Sequence, residues 1–561
     1  MNQHDLSSAL RGRRTTGKRP SLLLKEDLMM KNILHSQLSS GLLIGALLLS
    51  LTLIGGCDGG LFEDSSPEVS QASISADYVG SYGDQRVRGT PAHYGSPAEM
   101  AEYEPTASAD RHTDFGQNPL VDAAIENKST FSVDVNTASY TMMRSRLNAG
   151  RLPAPASVRT EEFINFFDYD YRPPEDGPFS IHTEMAPSYF GSDDQVQRHL
   201  MKIGVKAREV PLDEMKPNNL VFLIDVSGSM RPEVRLPLAK KSLHILLENL
   251  RPTDTVAIQT YASGSDTVLE PTPVRDFQTI DRAIDNLVAE GGTNGEGGIR
   301  DAYDMAEQAF VDGGNNRVII LTDGDFNVGK RGDDIVEMVR GYRERQIAMT
   351  AVGFGHGNHN DAVMEELARE GHGNYFYIDT LEEAHRIFGT HLTSTLEVIA
   401  SDVRIQVEFD EEAVKNYRLL GYEKRVLDNE DFEKESTNAA EVGPGHEVTA
   451  FYEVELRQDF DELPDQVAQI RVRYKEELLG HSLEVRQEVL TSAIKSSFHQ
   501  ASPPFQFATA VAEFAGILRR SNDPEDRSFD EIHRVAKNAM FGHHPQQEEF
   551  LTLVTRAQQL W

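Results

Sequence analysis

The stretch NLVFLIDVSGSM, residues 219–230, runs from an apolar segment of strand length directly into Asp225, Ser227 and Ser229. Further apolar runs follow at TVAIQTYA, RVIILTD, AMTAVGFG and NYFYID, with amphipathic helical segments between them. One such segment covers 233–250, where Leu236, Ala239, Leu243, Leu246 and Leu250 recur at intervals of three and four. Strands apolar on both faces and alternating with helices specify an α/β domain over 216–399, a doubly wound, mostly parallel, Rossmann-like sheet covered on both sides. Ligands of such sheets sit beyond the carboxyl ends of the strands. Asp225 ends its strand, and alternate residues of an extended loop project to one side, so Ser227 and Ser229 converge with it. Thr293, in the glycine-rich loop EGGTNGEGG, and Asp323, in VIILTDGD, fall on the same edge. Carboxylate and hydroxyl oxygens are hard donors suited to Mg²⁺ (or Mn²⁺), which takes octahedral geometry and retains several waters.

Beyond 400 the pattern changes to two-residue alternation in DVRIQVEFD, EVTAFYEVEL and QIRVRYKEE, which predicts an antiparallel β-rich module over 400–495. Ahead of the α/β domain, 126–215 reads as a short strand, a helix ending near Gly150, a second helix in SVRTEEFINFFDYDY, and then two strands. Those early strands are expected to join the later ones, so that the α/β domain is inserted in, or flanked by, one β-sandwich. The segment 496–561 reads as packed helices around FQFATAVAEFAGILRR and EEFLTLVTRAQQLW.

The amino-terminal region has a different character. Its first 56 residues carry seven Lys and Arg against Asp5, Glu26 and Asp27, within a chain whose net charge is −34. The uncharged run LLIGALLLSLTLI, residues 42–54, is short for a bilayer span and suits a signal-peptide core. IGGC follows and resembles a bacterial lipoprotein cleavage box, so 1–57 is expected to be a signal peptide with Cys57 as the lipidated residue. Cys57 is the sole cysteine of the chain, which excludes an internal disulfide. Asp58 beside it resembles the inner-membrane retention signal of enteric-type lipoproteins, and the long lead-in makes Met29 or Met30 an alternative start. Residues 58–125, rich in Ser, Gly, Ala and acid, read as a disordered tether with an r.m.s. reach of roughly 45 Å.

Asp-x-Ser-x-Ser followed by a Thr and then by Thr-Asp-Gly resembles the metal-ion-dependent adhesion site of von Willebrand factor type A domains. The resemblance implies that Ser227, Ser229 and Thr293 touch the metal, while Asp225 and Asp323 act through water or orient the site. It leaves one coordination position for a partner's carboxylate or for water. FSVDVNTASYTMMR, VRTEEFINFFDYDY, LLGYEKRVLDNEDF and FATAVAEFAGILR resemble the extensions of bacterial YfbK-type von Willebrand A lipoproteins, so the likeness covers roughly 128–561. Asn136 stands where that family suggests an acid, against a second cation site there.

The acidic balance excludes a nucleic-acid or anionic-membrane binding face, which needs clustered Lys and Arg. GDFNVGKR, residues 324–331, nearly spells a phosphate-binding loop, but Arg331 replaces the Ser or Thr that would hold Mg²⁺, so no nucleotide is expected. His356 and His359 lack the further ligands of a zinc site, and His372 and His385 have no partner pattern. No hydrolase motif is present. The expectation is a membrane-anchored, extracytoplasmic protein-binding module that captures an Asp or Glu carboxylate through a bound divalent cation. The alternatives are a metal-dependent hydrolase and an envelope scaffold whose metal only braces its loops.

Overall fold

The computed structural model describes residues 114–190, 197–292, 295–324, 332–355, 361–435, 437, 439–457, 463–476, 481–521 and 528–561. The signal segment, Cys57 and nearly all of the expected tether lie outside the described residues. So do Thr293, 325–331, His356 and His359.

The α/β domain is a six-stranded sheet in the order Tyr375–Ile378, Ile347–Phe354, Asn315–Thr322, Asn218–Asp225, Thr255–Tyr261, Ser265–Pro273. Its neighbours are parallel except the last pair, which is antiparallel. Every residue of Asn218–Asp225 is buried, as a strand covered on both faces requires. Leu220, Phe222 and Ile224 face a core shared with the helices Leu236–Asn249 and Phe277–Asp285. Val221 and Leu223 face the opposite core, shared with Gly295–Gln308, Gly332–Arg343 and Asp361–Glu370. Strand order reverses at Asn218–Asp225, whose neighbours come from later segments on both sides. The crevice at its carboxyl end is therefore the natural ligand position of the sheet.

Two antiparallel sheets form a sandwich. One runs Val121–Asp122, Val414–Leu420, Glu447–Leu456, Arg198–Ala207, Phe179–Pro187; the other runs Val426–Leu427, Lys128–Ser132, Ala400–Phe409, Gln466–Lys475, Ser482–Leu490. Ile203, Val205, Val448 and Ala450 of the first meet Ile405, Val407, Ile470 and Val472 of the second in one core. Arg198–Ala207 pairs with Glu447–Leu456, and Lys128–Ser132 with Ala400–Phe409, so the α/β domain is an insertion between halves of one sandwich. The chain joins the sandwich at Val121–Asp122, a few residues before the expected end of the tether.

The carboxy-terminal helices Pro503–Arg519, Phe529–Asn538 and Pro545–Leu560 pack on the helix Ala138–Asn148 through Tyr140, Phe163, Phe167, Phe507, Phe514 and Phe550. The second expected helix is cut to Thr160–Ile164. Asn165 caps it, its side chain accepting from Thr449 N at 2.7 Å and donating to Asp134 O at 3.0 Å. Buried ion pairs tie the three parts. Arg144 bonds Asp379 at 2.9 Å, Glu383 at 3.1 Å and Glu549 at 3.1 Å. Glu365 receives Arg159 at 3.0 Å, Arg425 at 3.0 Å and Lys424 at 2.6 Å.

Candidate metal centre

Asp225 is the last residue of the central strand and has no solvent exposure. Its carboxylate is held on both oxygens. The Ser227 amide donates to Oδ1 at 2.9 Å, while Tyr261 and Thr322 hydroxyls donate to Oδ2 at 3.2 and 3.1 Å. Burial pushes its pKa up, the hydrogen bonds from Ser227 draw it back, and the Asp323 carboxylate raises it again, for a net rise.

Ser227 is buried and Ser229 half-buried, and their hydroxyls are hydrogen-bonded to one another with the oxygens 2.9 Å apart. Asp323 follows directly on the strand Asn315–Thr322 and is buried. Arg235 Nη1 donates to Asp323 Oδ2 at 2.6 Å and to the Ser229 carbonyl at 2.7 Å, so one guanidinium joins two loops of the centre. The third loop is held by Gly228, whose amide donates to the Gly291 carbonyl at 3.0 Å, and by the Gly292 amide donating to Ser263 Oγ at 2.9 Å. Gly291 has φ +89°, a turn that brings the chain against the serine loop immediately before Thr293.

The structure thus gathers Asp225, Ser227, Ser229 and Asp323 at one sheet edge, and Thr293 lies outside the described residues. The donor set fits a hard divalent cation. Oxygens at about 2.0–2.1 Å in an octahedron sit about 2.9 Å from their neighbours, the separation of the two serine hydroxyls. Two buried carboxylates that raise one another's energy are also relieved by a cation. Among the described residues, this centre included, no three His, Cys, Asp or Glu side chains gather to hold a metal; the candidate set here is two carboxylates and two hydroxyls. Asn136 binds backbone instead, its Oδ1 accepting from Tyr375 N at 3.1 Å.

Sequence reasoning missed Tyr261, Thr322 and Arg235. Thr322 adjoins Asp323 and was open to discovery as the strand's last hydroxyl. Arg235 meets Asp323 across 88 positions with no local spacing to mark it.

Comparison with known proteins places this architecture. The von Willebrand factor type A domain family matches 219–390, a von Willebrand factor family matches 106–198, and the family "Uncharacterized protein YfbK, C-terminal" matches 394–560. The Escherichia coli (strain K12) protein described as "Uncharacterized protein YfbK" is 35% identical over 474 residues, covering 80% of this chain and 81% of that one. The chain belongs to the YfbK family. It carries a von Willebrand factor type A domain, a module that typically mediates protein interaction or adhesion. Inter-alpha-trypsin inhibitor heavy chain H3 of Mesocricetus auratus is 31% identical over 212 residues, 35% of this chain and 23% of that one. A solved structure titled "von Willebrand factor type A from Catenulispora acidiphila" matches 67% of this chain and 89% of its own at 14% identity and a TM-score of 0.41.

Proposed function

We propose that this YfbK-family chain is a membrane-anchored, extracytoplasmic protein-binding module whose α/β domain captures a partner's Asp or Glu carboxylate. Ser227, Ser229 and Thr293 would hold Mg²⁺ (or Mn²⁺), with Asp225 and Asp323 contributing through water or from behind. When bound, that ion supplies a positively charged Lewis-acidic centre with a position open to a carboxylate oxygen.

The observation that carries the reading is the 2.9 Å contact of the Ser227 and Ser229 hydroxyls beside the two buried carboxylates. The protein's own part is preorganisation. Tyr261, Thr322 and the Ser227 amide fix Asp225 on both oxygens, and Arg235 fixes Asp323, so little ordering remains for the moment of binding. Arg235 also offsets one of the two carboxylate charges, which favours an anionic incoming ligand. Cys57 would carry the lipid, and the tether that follows it would hold the folded body away from the membrane. If Asp58 acts as a retention signal, that membrane is the inner one.

Crosslinked pull-down from native membranes tests the reading. The wild-type chain captures a partner in Mg²⁺ and releases it in EDTA, and Asp225→Ala captures none while keeping its circular dichroism spectrum. Equal recovery in EDTA, or by Asp225→Ala, refutes it.

A further inference from the structure

The opposite edge of the parallel sheet carries a second constellation. The amino ends of Asn315–Thr322 and Ile347–Phe354, together with His372, face Ser401 and Glu441 of the sandwich across a cavity of about 390 Å³. That volume lies in the range of roughly 300–1,000 Å³ common to small-molecule pockets. It is remote in the fold from Asp225, which sits at the carboxyl edge.

The cavity holds an acid and a guanidinium that do not meet. Glu441 is only 6% exposed, and neither carboxylate oxygen receives a hydrogen bond. Arg317 is 3% exposed; its Nη1 donates to Thr350 Oγ1 at 2.6 Å and its Nη2 to the Leu396 carbonyl at 3.2 Å, but its Nε has no acceptor. No ion pair joins Arg317 to Glu441 among the described residues. Ser401 Oγ, also buried, has no partner. His372 Nδ1 stands 3.3 Å from Glu441 Oε1 without the alignment of a hydrogen bond. Each such group left unsatisfied in the interior costs free energy, and isolated buried charges cost most. Burial pushes Glu441 well above, and Arg317 down to about 10 from, their ordinary values.

The local backbone is built to hold this arrangement. His372 adopts φ +51° as the left-handed cap of the helix Asp361–Glu370, closed by the Gly373 amide donating to the Ala368 carbonyl at 2.9 Å. Gly373 beside it lies so close to the neighbouring strand that a Cβ would stand 1.9 Å from the Met349 carbonyl and 3.0 Å from Arg317 Nη1. Unsatisfied buried polar groups facing a cavity mark a place for an occupant.

We infer that this cavity binds a small zwitterion of the α-amino acid class, its carboxylate accepting from Arg317 Nε and its ammonium donating to Glu441, with Ser401 completing the contacts. One molecule of this class carries the acceptor that Arg317 lacks and the donors that Glu441 lacks, at opposite ends. A simple anion or a simple cation satisfies one wall and leaves the other unpaired. Lys216, exposed at the rim, adds a positive charge.

Thermal denaturation and isothermal titration of the full-length chain in detergent test the inference. The probes are the twenty free α-amino acids, with propionate and ethylamine as half-ligands. At least one amino acid raises the melting temperature and binds at least about tenfold more tightly than either half-ligand, a difference of about 1.4 kcal/mol. Glu441→Gln abolishes that binding and raises the melting temperature of the empty protein, because it removes a buried unpaired acid. A carboxylate with a purely structural role would leave the variant less stable. Ser401→Ala, a milder change, weakens binding with the fold intact. No response to any amino acid, or equal binding of propionate or ethylamine, overturns the inference. A drop in the stability of Glu441→Gln with ligand binding retained overturns it as well.

Discussion

Gly355→Ala probes how the candidate metal centre is held together. Gly355 follows the strand Ile347–Phe354 with φ +83°, and its carbonyl accepts from the Tyr377 hydroxyl. A Cβ there would lie 2.4 Å from Arg235 Nε, 2.5 Å from Cγ and 2.9 Å from Cδ. Two effects therefore add. An L-residue in the left-handed region costs about 1–2 kcal/mol. Arg235 must also move, weakening its 2.6 Å bond to Asp323 and its 2.7 Å bond to Ser229; a bond to a charged group contributes about 1.5–3 kcal/mol. The expected loss of unfolding free energy is about 3 kcal/mol, read from the urea midpoint at constant m-value. Isothermal titration should show Mg²⁺ affinity reduced by about tenfold or more, since Asp323 is no longer fixed. Arg235→Lys keeps the charge and loses the fork, so it should fall between wild type and Gly355→Ala. A Gly355→Ala protein with the stability and Mg²⁺ affinity of wild type would refute the role given to Arg235.

Two further outcomes concern the body that supports the site. Arg144→Met removes the cation between Asp379 and Glu383, whose side chains are 2% and 1% exposed, and should destabilise the chain by about 3–5 kcal/mol in denaturant titration. Burial holds His199 down to about 4, so it stays neutral in the fold while the unfolded chain takes up a proton below about 6.5. Its contribution is thus complete above pH 6.5 and is lost as pH falls towards 4, at about 1.4 kcal/mol per unit and about 3 kcal/mol in all. His199→Leu should flatten that part of the stability–pH curve, and an unchanged slope would exclude the assignment.

The central strands were legible because burial on both faces leaves an uninterrupted apolar run, as in 220–224. Ser265–Pro273 was not. It is an exposed, antiparallel edge strand containing two prolines, and neither apolar continuity nor alternation marks it. Ser482–Leu490 escaped for the same reason, since it borders its sheet and most of its residues contact water or charged neighbours. The helix expected beyond Ile164 stops at Asn165, whose side chain bonds to Asp134 and Thr449, partners that local sequence does not reveal. Within the candidate centre, Asp225, Ser227 and Ser229 were readable from alternate spacing at a strand end, and Asp323 from its place after a second apolar run. Arg317, His372 and Glu441 share no spacing at all; only the docking of sandwich on sheet brings them to one cavity.

Calorimetric titration of the full-length chain with Mg²⁺, wild type beside Ser227→Ala and Asp323→Ala, tests most directly whether the three loops form a cation site. The account predicts one ion per wild-type chain, with binding lost in both variants while their unfolding transitions remain cooperative. Absence of Mg²⁺ and Mn²⁺ binding by wild type, or undiminished binding by both variants, would contradict it.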